Sequence, residues 1–148
     1  MIELVEIYNL PELLRWRREV IREVFGEEPS EALMAENESF YRRHIADGSH
    51  IAIMAMEDGD EVGCGSLCLT EELPAPDNPT GKCGYLMNIY VREKFRQHGA
   101  AHAIVRRLID EARDKYCGKI YLETTSDGRP VYESLGFHDL PDMMKLGK

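Results

Sequence analysis

The sequence lacks the common phosphate-binding signatures. It has no G-x-G-x-x-G, which excludes the dinucleotide fingerprint, and no G-x-x-x-x-G-K-[ST], which excludes a P-loop. No apolar run approaches the ~20 residues that a membrane span needs. Met1-Ile-Glu-Leu-Val-Glu sets no basic stretch ahead of an apolar core, so no signal peptide is expected and the reading is cytoplasmic, with no membrane partner. Repeats and low-complexity tracts are absent. Lys and Arg form no stripe with interleaved aromatics, which speaks against a nucleic-acid partner. Cysteine is scarce: Cys64, Cys68, Cys83 and Cys117 form no C-x-x-C pair and read as reduced core thiols rather than a metal site. The acidic stretch Glu57-Asp58-Gly59-Asp60-Glu61 lacks EF-hand spacing and reads as a hairpin turn centred on Asp-Gly, so no metal is expected.

What is present fits one α/β domain over residues 1–148, long enough for a sizeable core. The net charge of −9 is uneven. Residues 1–81 hold 6 Lys/Arg against 18 Asp/Glu, or −12; residues 82–148 hold 12 against 9, or +3. An acidic half favours a cationic co-substrate such as an amine, or serves only solubility.

The pattern implies the order βααβββαβαβ, with a further strand allowed at the end. Ile2–Ile7 reads as a strand. Asn9, Pro11 and Glu12 open a helix whose stripe is Leu13, Trp16, Val20 and Val24, and Gly26 closes it. Ser30 begins a second helix to about Ala46, facing inward through Leu33, Asn37, Phe40, Tyr41 and Ile45. His50–Met56 and Val62–Leu69 form a hairpin. Residues 73–81 hold three prolines and read as a fixed loop. It either hangs over an active-site mouth, with Asn78 and Thr80 as hydrogen-bonding candidates, or simply crosses the surface. Lys119–Glu123 is a strand, Arg129–Leu135 a short helix ended by Gly136, and Phe137-His138 the start of a last strand, with Met143–Leu146 as another candidate. Such an order implies a mixed sheet with helices on both faces.

The centre of the chain is Tyr85–Ala112. Tyr85–Val91 is apolar, aromatic and β-branched, as in a buried strand. Ala101, Ile104, Val105, Leu108, Ile109 and Ala112 lie on one helical face. Between them, Arg96-Gln97-His98-Gly99-Ala100-Ala101 is a turn with little bulk. A turn that opens a helix presents unpaired amides at the positive end of the macrodipole, which suits a phosphate or pyrophosphate.

Val91-x-x-x-x-Arg96-x-x-Gly99-x-Ala101 resembles motif A of the GNAT superfamily of N-acetyltransferases, whose core is [Q/R]-x-x-G-x-[G/A]. Tyr132-Glu-Ser-Leu-Gly136-Phe137 resembles that family's closing motif, and the two stand in the expected order. Gln97 departs from the Gly of many relatives; its amide serves equally well if its φ is negative.

The resemblance implies a mostly antiparallel sheet splayed between two parallel strands, Tyr85–Val91 and Lys119–Glu123. It implies acetyl-CoA as co-substrate, with its arm along the backbone of Ile89, Tyr90 and Val91 and its pyrophosphate on the amides of Arg96, Gln97, His98, Gly99, Ala100, Ala101 and His102. Tyr132 takes the role of general acid to the departing thiolate. Asn78, Tyr85 and Asn88 are the substrate-side candidates. No carboxylate lies between Lys82 and Arg92, so water ordered by Tyr85 or Asn88 is expected to take the amine's proton. The implied function is N-acetylation of a primary amine, whether small amine, amino-acid-like molecule or peptide. The other class is a GNAT-like module that binds CoA as a sensor without turnover. A homodimer is compatible with either.

Overall fold

The side chain of Asn9 accepts a hydrogen bond from the Glu12 amide (3.0 Å), and Gly26 ends the same helix at φ 73°. These two caps bound α1 (Leu10–Phe25) at the ends its sequence implies. The computed structural model describes residues 1–147. Ser30 caps α2 (Glu31–Ala46) in the same way, accepting from Leu33. The strands are β1 (Ile2–Ile7), β2 (His50–Glu57), β3 (Asp60–Glu71), β4 (Lys82–Val91) and β5 (Lys119–Leu122). Asp58 and Gly59 both take positive φ, 51° and 87°, the pattern of the type I′ turn whose twist suits a two-residue hairpin.

One sheet runs in the order β1-β2-β3-β4-β5, antiparallel except for the parallel pair β4–β5. α3 (Ala100–Asp114) covers one face through Ile104, Val105, Leu108 and Ala112. α1 and α2 cover the other through Leu13, Trp16, Val20 and Tyr41. Gly65 lets α3 lie close to the sheet, since a Cβ there would stand 2.5 Å from Ile104 Cγ2. α4 (Arg129–Ser134) follows β5.

Three expectations are corrected. Val24 (52% exposed) and Leu33 (43% exposed) lie outside the buried stripes; Ile21 and Met34 hold those places. No strand follows α4 among the described residues. Phe137 instead folds back on Tyr132, its amide donating to the Tyr132 carbonyl (3.0 Å), and Arg129 pairs with Asp139. Pro141 has no amide to give a ladder, and Met144 and Leu146 bury nothing.

Candidate active site

β4 is where the sheet opens. Its pairing with β5 runs only from Cys83↔Lys119 to Leu86↔Leu122. On its other side the register with β3 slips between Cys64↔Tyr90 and Ser66↔Met87, so Asn88 and Ile89 together oppose Gly65. Asn88 absorbs this bulge at φ 57°. Beyond Leu86, therefore, one edge of β4 carries backbone groups that no strand among the described residues partners, and this is the stretch holding Ile89, Tyr90 and Val91. The Tyr90 side chain itself is structural: its ring meets Trp16 edge-on at 6.4 Å, and burial, with Glu19 beside it, pushes its hydroxyl up to about 12.

Past Val91 the chain makes a 3-10 turn (Glu93–Phe95) and then the small-residue turn. The first α3 hydrogen bond runs from the Ala103 amide to the Gly99 carbonyl, so the amides of Ala100, Ala101 and His102 precede the helical ladder. Gly99 sits at φ 90°, and a Cβ on it would meet nothing within 4 Å, so the approach to these amides is open. Two details differ from the sequence reading. The Arg96 amide is already used, donating to the Glu93 carbonyl, and its Nε donates to the Val91 carbonyl (3.0 Å); Arg96 braces the turn against the end of β4. Gln97 has φ 66°, not a negative value, so it occupies a conformation that glycine adopts more cheaply. His98 is held by Glu57 at the end of β2 (Nδ1 to Oε2, 2.9 Å).

Tyr132 of α4 lies half-buried against the same core that Ile89 and Ala101 border. Its ring meets Phe137 at 5.9 Å, and burial alone raises its hydroxyl above the ordinary phenol value. It lines a cleft of about 800 Å³ with Leu122 and Glu123. The Tyr85 ring packs at a tilt against Tyr121 (5.0 Å between centroids), and its hydroxyl donates to Glu123 Oε1 (3.2 Å); burial first, then Glu123, push it up to about 12.

Asn78 does not join these residues. It is 1% exposed, and its amide nitrogen donates to Glu72 Oε1 and the Lys82 carbonyl. Lys82 begins β4, so the loop is pinned roughly 20 Å along the strand from the bulge. Thr80 likewise donates to the Tyr116 carbonyl. The proline-rich loop is a structural crossing, and Asn78 is its buried anchor. A side chain on Gly118 would collide with Asn78 Oδ1.

A second cavity, of about 260 Å³, lies on the α1–α2 side of the bulge. Arg17 spans it: Nε donates to Asn37 Oδ1 (2.9 Å) and Nη1 to Asn88 Oδ1 (2.8 Å). Phe40, Tyr41 and Met87 supply apolar wall, and His50 and Cys68 its floor. His50 is 5% exposed, and burial pulls its imidazole down to about 4. Its Nδ1 lies 3.3 Å from Cys68 Sγ, while its buried Nε2 has no partner among the described residues. Asn88, a substrate-side candidate from the sequence, lines this cavity; Arg17 and His50, which line it too, were not singled out by the sequence. The one signal was Asn37, a polar residue on an otherwise apolar helix face. Cys64 and Cys83 are buried free thiols, as expected of core cysteines.

Comparison with known proteins adds the following. Residues 10–137 match the model of the acetyltransferase (GNAT) family. A thialysine N-epsilon-acetyltransferase from Sus scrofa is 29% identical over 97 residues, covering 51% of this chain and 57% of that protein. A glucosamine 6-phosphate N-acetyltransferase from Trypanosoma brucei brucei is 30% identical over 63 residues, 43% of each. The chain thus spans about half the length of these curated relatives. The crystal structure of a predicted acetyltransferase with acetyl-CoA from Clostridium acetobutylicum shares the fold, with a TM-score of 0.87 at 24% identity over 99% of this chain and 96% of that one.

Proposed function

Because this chain belongs to the GNAT family of acetyltransferases, we propose that it transfers the acetyl group of acetyl-CoA to the nitrogen of a small primary amine. The observation that carries this reading is the coincidence on one strand of an unpartnered edge after Leu86, a bulge at Asn88–Ile89 and an open amide turn at the strand's end. The relatives' names concern thialysine and glucosamine 6-phosphate, both small amines, and favour an acceptor of that size.

Acetyl-CoA supplies an activated thioester, and each residue here has a part in holding or discharging it. The amides of Gln97, His98, Gly99, Ala100, Ala101 and His102 bind the pyrophosphate at the positive end of α3. The β4 edge at Ile89, Tyr90 and Val91 pairs with the pantetheine arm as an added strand would. A backbone amide there polarises the acetyl carbonyl and holds the developing oxyanion. Tyr132 gives its proton to the departing thiolate. The amine's proton leaves through water held by Asn88 and by the Tyr85–Glu123 pair, since no carboxylate stands on β4 itself.

The test is release of free thiol from acetyl-CoA with a panel of amines, amino acids and peptides. Acetylated amine formed in step with thiol supports the reading. Tight CoA binding with no turnover of any acceptor would replace it with the sensor module.

A further inference from the structure

Arg17 is unlike Arg92, another partly buried arginine on this side of the sheet. Arg92 meets the carboxylate of Glu19 through two hydrogen bonds of 2.8 Å. Arg17 lies over the Phe25 ring at 5.8 Å, and its hydrogen bonds go only to neutral amide oxygens, those of Asn37 and Asn88. A guanidinium has five donors, so three remain without a partner among the described residues. Its charge is nonetheless felt across the cavity, where it works to lower the pKa of Tyr41 and Cys68 against the effect of burial and that of His50 alongside it. Asn37 and Asn88 fix the group from two sides and leave its charge uncancelled. Such a braced, uncompensated guanidinium suits an anion, and its planar fork matches a carboxylate.

The remaining walls narrow the choice. His50 stays neutral, so among the described residues Arg17 is the one permanent positive charge lining the cavity. A single charge balances a carboxylate, whereas a phosphate monoester carries more. Phe40 and Met87 offer apolar contact. Glu36 stands exposed on the same lining and can meet an ammonium. The volume of about 260 Å³ suits a molecule of amino-acid size.

We infer that the acceptor of this enzyme is an amine that also bears a carboxylate and an apolar body, and that Arg17 is the residue that reads the carboxylate. The word acceptor rests on the acetyltransferase reading above, but the recognition itself is a matter of binding. It also narrows the expectation drawn from the acidic half of the sequence: the amine that the pocket selects carries a carboxylate as well as its ammonium.

The experiment is calorimetry on the full chain, with and without CoA, using pairs that differ only in the carboxylate: L-methionine against 3-(methylthio)propylamine, and L-phenylalanine against 2-phenylethylamine. The amino acid of each pair should bind roughly 10- to 100-fold more tightly, the range for a hydrogen bond to a charged group. Arg17→Met, which keeps the stem, should erase that ratio, and Arg17→Lys should restore part of it. Equal binding within the pairs, binding of neither member, or a ratio that survives Arg17→Met would overturn the inference. O-phosphoethanolamine binding more tightly than L-methionine would overturn the assignment to a carboxylate. The wild-type pairs decide even if the variants misfold. A clear carboxylate preference without thiol release would leave this inference standing and sink the acetyltransferase reading instead.

Discussion

Gln97 and Gly99, two residues apart in the same turn, both hold the backbone at positive φ, 66° and 90°. Glycine does this without steric cost; glutamine does not. The left-handed conformation costs an L-residue roughly 1–2 kcal/mol, and glycine gives back roughly 0.5–1 kcal/mol of that in unfolded-state entropy. Gln97→Gly should therefore stabilise the protein by about 0.5–1 kcal/mol. Urea unfolding checks this through a higher midpoint at unchanged slope. Gln97→Val, β-branched at the same φ, should move the midpoint the other way.

Gly99 tests the anion site separately from strain. Gly99→Ala and Gly99→Glu both force a side chain into positive φ, and neither Cβ meets a neighbour. The strain is shared; only the glutamate adds bulk and negative charge beside the first-turn amides of α3. CoA affinity, by calorimetry, should fall modestly in the alanine variant and far more in the glutamate one. Equal losses would mean the turn matters for shape alone, and unchanged affinity in both would move the pyrophosphate elsewhere.

Arg92, just past β4, ties that end of the strand to α1. Its guanidinium binds both oxygens of Glu19 and lies 4.6 Å from the Trp16 ring centroid. The pair is partly screened from water, and the hydrogen bond from Arg92 holds the Glu19 carboxyl below its ordinary value of 4.5. A depressed carboxyl contributes stability in full above its unfolded value, and that contribution is lost as pH falls through the folded one. Glu19→Gln should cost about 1–2 kcal/mol at pH 7. The gap between wild type and variant should close as the pH drops below 4.5. Paired denaturation curves from pH 7 to pH 3 would show it; a gap independent of pH would assign the cost to packing on Trp16.

The parts of this molecule legible in its sequence are those set by short-range pattern. Asn9, Ser30 and Gly26 cap their helices within a few residues of chain, and Asp58-Gly59 needs only its own two φ angles to make the hairpin. Spacing from Arg96 to Ala101 located the turn, but no spacing reports a dihedral, which is why the condition on the φ of Gln97 stayed open until the structure gave 66°. Arg17, Asn37 and Asn88 stayed invisible as a group because they are joined only by α1, α2 and β4 packing together. Asn78 shows the converse: a polar residue in a loop reads as available to a ligand until burial and three local acceptors claim it. The missing last strand follows from the same limit, since a strand exists only where a neighbour's edge takes up its hydrogen bonds.

Tyr132 carries the sharpest prediction about chemistry. A phenol near its ordinary pKa of ~10 is protonated at neutral pH and can give its proton to a thiolate. Burial raises the Tyr132 hydroxyl further, so the acid form persists through the whole neutral range and beyond it. The ring already has a structural task, packed edge-on against Phe137 at 5.9 Å and bordering the α3 core. Tyr132→Phe separates the two tasks, because it keeps the ring and removes only the donor. If the hydroxyl acts in the transition state, kcat should fall by roughly 10²–10⁴-fold, the range for general acid catalysis. KM for acetyl-CoA should change little, and thermal stability should stay near that of the wild type. In wild type, deprotonation of Tyr132 should not limit kcat until the pH passes the ordinary phenol value, and any alkaline limb owed to it should vanish in the phenylalanine variant. Turnover within a few-fold of wild type in a folded Tyr132→Phe would strip the residue of this role. It would leave bound water to protonate the thiolate and Tyr132 as a packing residue.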